Sequence, residues 1–142
     1  DVEWKKYWQI RYGTLNTDLE SLVIDSEGSI KELGEENAHL KKINGRYIGL
    51  LKFSKKGLDS LKETYNHGKN FFWDKPWKMS GKIFQKAFMT DILQALIDSG
   101  VNVQSHLVKG GWLEFDTNED YEIMSNMYKD GSISELIDLE VC

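Results

Sequence analysis

One cysteine, one proline and no surplus of positive charge set the first limits on this chain. The cysteine is Cys142, the last of 142 residues, so no internal disulfide can form, which suits a reducing compartment and leads us to expect a cytoplasmic protein. The formal charge is −5, and Lys5-Lys6, Lys41-Lys42 and Lys55-Lys56 are isolated pairs. A nucleic-acid backbone needs a basic patch, so no nucleic-acid partner is expected. No apolar run approaches membrane-spanning length, and the opening residues do not form a signal-peptide pattern, so no membrane partner is expected either. Neither GxGxxG nor GxxxxGK[ST] nor GxSxG occurs, which argues against a self-contained kinase or hydrolase. His39, His67 and His106 are far apart and read as surface or loop residues rather than metal ligands.

What is present is enough for a core. The chain is 40% hydrophobic and fits one domain over residues 1–142. Leu19 to Leu33 reads as a β-hairpin, with Leu22-Val23-Ile24 as one arm, Asp25-Ser26-Glu27-Gly28 as the turn, Ile30 to Leu33 as the return and Gly34 ending it. Glu35 to Lys42 reads as loop. Arg46 to Phe53 is apolar on both faces, as a buried central strand would be. Ser54 is placed to cap a helix running to about His67, with Gly68 as its stop. Asn70 to Gln85 reads as irregular, with a short helix around Ser80 to Lys86. Phe88, Met89, Ile92, Leu93, Leu96 and Ile97 recur at helical spacing, giving a helix over Thr90 to Ser99 that Thr90 can cap. Val101, Val103, Ser105 and Leu107 alternate as in a half-covered strand. A last helix is expected over Asn118 to Lys129, with Ile123, Met124, Met127 and Tyr128 inward, and Ser132 to Leu139 adds a turn. The layout is α/β with a mixed sheet. At the other end Trp4, Tyr7 and Trp8 crowd the first turn or strand. Large aromatics there call for cover, by a longer fold or by a partner.

The most informative stretch runs from Gly110 to Asp120. A turn at Gly110-Gly111 leads to a short strand in which Trp112, Glu114 and Asp116 share one side, while Leu113 and Phe115 share the other and can enter a core. Two carboxylates beside a helix N-terminus suit a hard cation that in turn holds phosphates. The same residues also suit plain capping, with Asp116 or Thr117 as N-cap and Glu119 and Asp120 in the first turn. Phe71, Phe72, Trp73 and Trp77 could stack on a sugar ring or a quaternary ammonium, or form a satellite apolar cluster. Arg11, Asp18 and Glu20 could pair at the surface or line a cleft.

Several segments, in order, resemble the C-terminal portion of the sugar-phosphate and choline-phosphate nucleotidyltransferases. They are Asp1, Trp4, Trp8 and Arg11; Asp18-x-Glu20; Ile30 to Gly34; Ile43 to Ser54; Met89 to Ile97; and Gly111 to Thr117 with Asp120. The resemblance implies a partial Rossmann-like fold with a mixed sheet and a hairpin. It implies attack by an acceptor phosphate on the α-phosphate of a nucleoside triphosphate, with Mg²⁺ held between two aspartates. Asp116 matches one of them, and Glu35, Tyr47, Gly49, Asp91 and Glu114 would lie near the acceptor. The family's Gly-rich triphosphate loop and its other metal aspartate have no counterpart here. The chain is therefore expected to be inactive alone, and to need its nucleotide-binding half or self-association to cover its N-terminal edge. The alternative is a non-catalytic binding or assembly domain that keeps the fold.

Overall fold

The computed structural model describes residues 1–78 and 80–141, which form two compact units, residues 1–17 with 107–141, and residues 18–78 with 80–106. Among the described residues no helix is long and apolar enough to cross a membrane.

The first unit joins the two ends of the chain. Helix α1 (Trp4–Tyr12) places Trp4, Tyr7, Trp8 and Arg11 on one buried face, the i, i+3, i+4, i+7 stripe of an amphipathic helix. Trp4 and Trp8 are 1% and 0% exposed and meet edge to face at 5.7 Å. These aromatics are thus covered within the chain itself, in a helix. Asp1 ties the two ends together: Oδ1 accepts from the Gly110 N–H at 2.8 Å and Oδ2 from the Trp112 indole at 2.9 Å.

Residues 112–116 do not join a sheet, contrary to expectation. The polar backbone of Glu114 is satisfied instead by one side chain of α1. The Tyr7 hydroxyl accepts from the Glu114 N–H at 2.8 Å and donates to its carbonyl at 3.0 Å. Phe115, expected inward, is 55% exposed, because the opposite side of the segment is the one held against α1. Helix α4 (Asn118–Asp130) follows, with Met124 buried and Tyr128, expected inward, 66% exposed. The chain then turns through short 3₁₀ segments at Ser132–Glu135 and Leu139–Val141.

The second unit is built on the expected hairpin. Strands β1 (Glu20–Ile24) and β2 (Ile30–Glu36) pair antiparallel, with Leu22 opposite Leu33 and Ile24 opposite Ile30. The turn is set locally, since Asp25 Oδ1 accepts from the N–H groups of Glu27 and Ser29, both at 2.9 Å. Gly34 does not end β2. It takes φ +88° within the strand, and a Cβ there would lie 2.8 Å from that of Thr90.

The mixed sheet is not formed among the described residues, whose sheet is this two-stranded hairpin. The expected strand over 46–53 is irregular, with Leu50 82% exposed; nearby, a lone parallel bridge joins Leu22 and Ile43. Asn44 caps that contact by accepting from the Ile24 N–H at 2.8 Å. The expected strand over 101–107 is reduced to one bridge between Ser29 and Gln104.

Ser54 caps helix α2 (Lys55–Phe72) by accepting from the Gly57 N–H at 3.0 Å. The helix runs through Gly68 rather than stopping there. Gly68 is where the rings of Phe84 and Trp77 come against the backbone, and a Cβ would collide with the Phe84 ring and press on that of Trp77. Helix α3 (Met89–Asp98) packs Leu93 and Leu96 against Leu22 and Leu33, and Ile92 and Ala95 against Trp77 and Phe84. Trp77 therefore belongs to a core cluster, whereas Phe71 is 60% exposed. The helix expected over 80–86 is a 3₁₀ turn at Phe84–Lys86.

Candidate functional site

The acidic segment converges on Arg11. Its guanidinium makes a fork on Asp120, Nε to Oδ1 at 2.6 Å and Nη2 to Oδ2 at 2.8 Å. Nη1 donates to Glu114 Oε2 at 2.5 Å and Nη2 to Asp116 Oδ2 at 2.7 Å. The side chain of Arg11 is 1% exposed, with the Tyr12 ring 4.9 Å away. Arginine suits the place, because its planar fork can serve several carboxylates at once and is weakly hydrated. That Glu114 and Asp116 meet the same guanidinium agrees with the two-residue alternation read from the sequence.

Asp120 does a second task. Its Oδ2 accepts from the N–H groups of Asp116 at 3.0 Å and Thr117 at 2.9 Å, while Thr117 Oγ1 accepts from the Asp120 N–H at 3.1 Å. This is a capping box, so the capping reading of the segment holds at Thr117 and Asp120. The hydrogen bonds from Arg11 hold the Asp120 carboxyl at about 2, against the opposing effect of burial and with help from Thr117. Burial disfavours the Arg11 charge, but its bonds to Asp120, Asp116 and Glu114 prevail and raise its pKa. Burial also raises the Tyr7 hydroxyl.

One positive charge faces three negative ones, so the cluster keeps a negative excess toward solvent. Glu114 and Asp116 carry it, with side chains 30% and 69% exposed against 5% for Asp120. Among the described residues no group of three or more His, Cys, Asp or Glu could hold a metal ion by itself. Glu114 and Asp116, bound to Arg11 on one side and partly exposed on the other, are the two carboxylates here that could be offered to a hard cation completed by phosphates and water.

The other expected site residues lie in the second unit. Glu35 is on β2 and accepts from Lys42 Nζ at 2.7 Å, a bond that holds its carboxyl below the usual range. Tyr47 is half-buried against the core of that unit, and its hydroxyl is raised by burial and by the charge of Glu20. Gly49 lies in the irregular 46–53 segment at φ +79°. Asp91 is 1% exposed and engaged locally. Its oxygens accept from Ser80 N–H at 2.9 Å, Ser80 Oγ at 2.7 Å and the Phe88 N–H at 2.8 Å, the last closing the start of α3. Glu20 is a residue the sequence reading left undecided. Burial raises its carboxyl, Arg46 opposes that, and the charges of Asp18, Glu36 and Asp91 add to it.

The CTP:phosphoglutamine cytidylyltransferase of Campylobacter jejuni is 32% identical to this chain over 123 residues. The chain has a nucleotidyltransferase relative. The match takes in 87% of this chain and 46% of that protein, so the chain spans about half the length of the relative. No family model and no solved structure matches the chain.

Proposed function

We propose that this chain is the acceptor- and metal-binding part of a cytidylyltransferase-type enzyme, carrying the C-terminal portion of a Rossmann-like nucleotidyltransferase fold. The reaction joins an acceptor phosphate oxygen to the α-phosphorus of a nucleoside triphosphate, CTP in the first instance, and releases pyrophosphate. The acceptor is a small phosphorylated molecule such as a sugar phosphate, phosphocholine or the phosphoglutamine named for the relative. The observation that carries this reading is the 32% identity across 87% of the chain. The Arg11 cluster supports it, because that segment is where the sequence resemblance puts a metal aspartate.

In this reading Asp116, with Glu114 beside it, gives carboxylate oxygens to Mg²⁺. A bound cation of this kind draws phosphoryl oxygens together and offsets the charge that builds during transfer. The chain's own residues do the rest of its share. Arg11 and Asp120 hold the acidic segment, and Tyr7 clasps the backbone of Glu114. The triphosphate itself needs a row of backbone N–H groups from a Gly-rich loop, and neither GxGxxG nor GxxxxGK[ST] occurs in this sequence. Transfer therefore requires a nucleotide-binding partner segment.

The test is to combine the chain with the non-matching half of the Campylobacter relative and to follow pyrophosphate release with CTP, Mg²⁺ and phosphoglutamine or phosphocholine. Release that appears only with both pieces, and that Asp116→Ala abolishes, is the expected result. Release that survives Asp116→Ala removes Asp116 from the mechanism. No release, with no calorimetric response to any of these ligands, favours the non-catalytic assembly role.

A further inference from the structure

We propose that Arg11 is the positioning residue of this site. It orders the 114–117 backbone through Asp120 and sets the stance of the Glu114 and Asp116 carboxylates directly. The inference rests on the reading above, in which those two carboxylates face the ligand.

The geometry links Arg11 to the backbone of the acidic segment through Asp120. Asp120 Oδ2 receives three donors, Arg11 Nη2 at 2.8 Å and the N–H groups of Asp116 at 3.0 Å and Thr117 at 2.9 Å. Fixing Asp120 thus fixes two consecutive amides of the acidic segment. The same guanidinium then reaches past Asp120 to both partly exposed carboxylates. Three carboxylates gathered on one group repel one another, and the buried guanidinium they share offsets part of that repulsion. Arg11 is too buried to touch a substrate, so its influence passes through its partners. Lysine cannot reproduce this: one ammonium at the end of a flexible stem cannot make the fork and the two side bonds together.

The experiment uses the full chain, with hydrogen exchange read at single amides and Mn²⁺ uptake read by loss of the free-ion electron paramagnetic resonance signal. In Arg11→Lys, exchange protection at Asp116 and Thr117 should fall about tenfold or more, as expected for losing hydrogen bonds to a charged group, while the Met124 amide inside α4 changes little. The half-saturating Mn²⁺ concentration should rise about fivefold or more over the same change. A purely structural role would lower protection evenly through the unit. Equal losses at Asp116, Thr117 and Met124, or no loss at the first two, overturn the proposal. So does unchanged Mn²⁺ affinity in Arg11→Lys when Asp116→Ala abolishes uptake. If the unsubstituted chain takes up no Mn²⁺, the amide pattern alone decides the role of Arg11. Should Arg11→Lys not fold, Arg11→Gln, which keeps a planar donor but loses the charge and the fork, is read at the same amides with the same expected and overturning patterns.

Discussion

Acidification should weaken the first unit through Asp120, by an amount the geometry sets. The Asp120 carboxyl sits at about 2 in the folded chain against an ordinary 3.8. That difference corresponds to about 2 kcal/mol of stabilisation. Because the folded state holds the proton less tightly than the unfolded one, the stabilisation is complete above about pH 5 and drains away as pH falls toward 2. Linkage leaves about half of it at pH 3. The comparison that isolates it is Asp120→Asn. At pH 7 that variant should be less stable by about 3 kcal/mol, at the low end for breaking a buried ion pair, since Arg11 keeps Glu114 and Asp116 as partners.

The assay is urea unfolding at a series of pH values from 7 to 2, read from the indole N–H resonance of Trp8, which donates to the Thr17 carbonyl at 2.9 Å inside the same unit. The stability gap should narrow by about 1 kcal/mol between pH 7 and pH 3 and by about 2 kcal/mol at pH 2. A gap that stays constant over that range refutes the ion-pair account of Asp120.

Two further predictions concern the second unit. Asp91→Ala should cost it about 2–3 kcal/mol in urea unfolding read at the Leu96 amide, because the buried carboxylate is the acceptor for the Phe88 and Ser80 N–H groups; a loss under about 0.5 kcal/mol would refute that structural role. Gly68→Ala should lower stability by about 1–2 kcal/mol in the same assay, since the new methyl meets the Phe84 ring, with its Cδ2 2.6 Å away, and the collision outweighs the better helix propensity of alanine. A variant as stable as the original would mean that the ring yields freely.

Local signals were legible in the sequence, and long-range pairing was not. The hairpin is readable because Asp25 builds its turn within four residues, and the starts of α2 and α4 are readable because Ser54 and Thr117 cap them within three. The three extra strands expected over 46–53, 101–107 and 112–116 were inferred from apolar or alternating pattern alone. Such a pattern states which faces are covered, not what covers them. For Glu114 the cover is a tyrosine hydroxyl from a helix, which satisfies both backbone groups as a sheet neighbour would have done. The end of β2 was misplaced for a related reason: Gly34 serves close contact with Thr90 rather than chain reversal.

The candidate site divides along the same line. Glu114 and Asp116 can be paired from their two-residue spacing, and both reach one guanidinium. Arg11 could not be joined to them by any local rule, because it lies 103 and 105 residues away in sequence. Its own neighbourhood did hold a signal. Trp4, Tyr7 and Trp8 with Arg11 make the i, i+3, i+4, i+7 stripe of a helix whose buried face is otherwise aromatic. An arginine at the fourth place of such a stripe must either break the burial of the face or meet enough carboxylate to be buried with it. The acidic cluster near the other end of the chain, rich in carboxylates with few local cations, is where that requirement could be met. Two unbalanced features far apart in sequence, each costly alone, are resolved by one contact, and that contact is what gives the acidic segment a fixed shape.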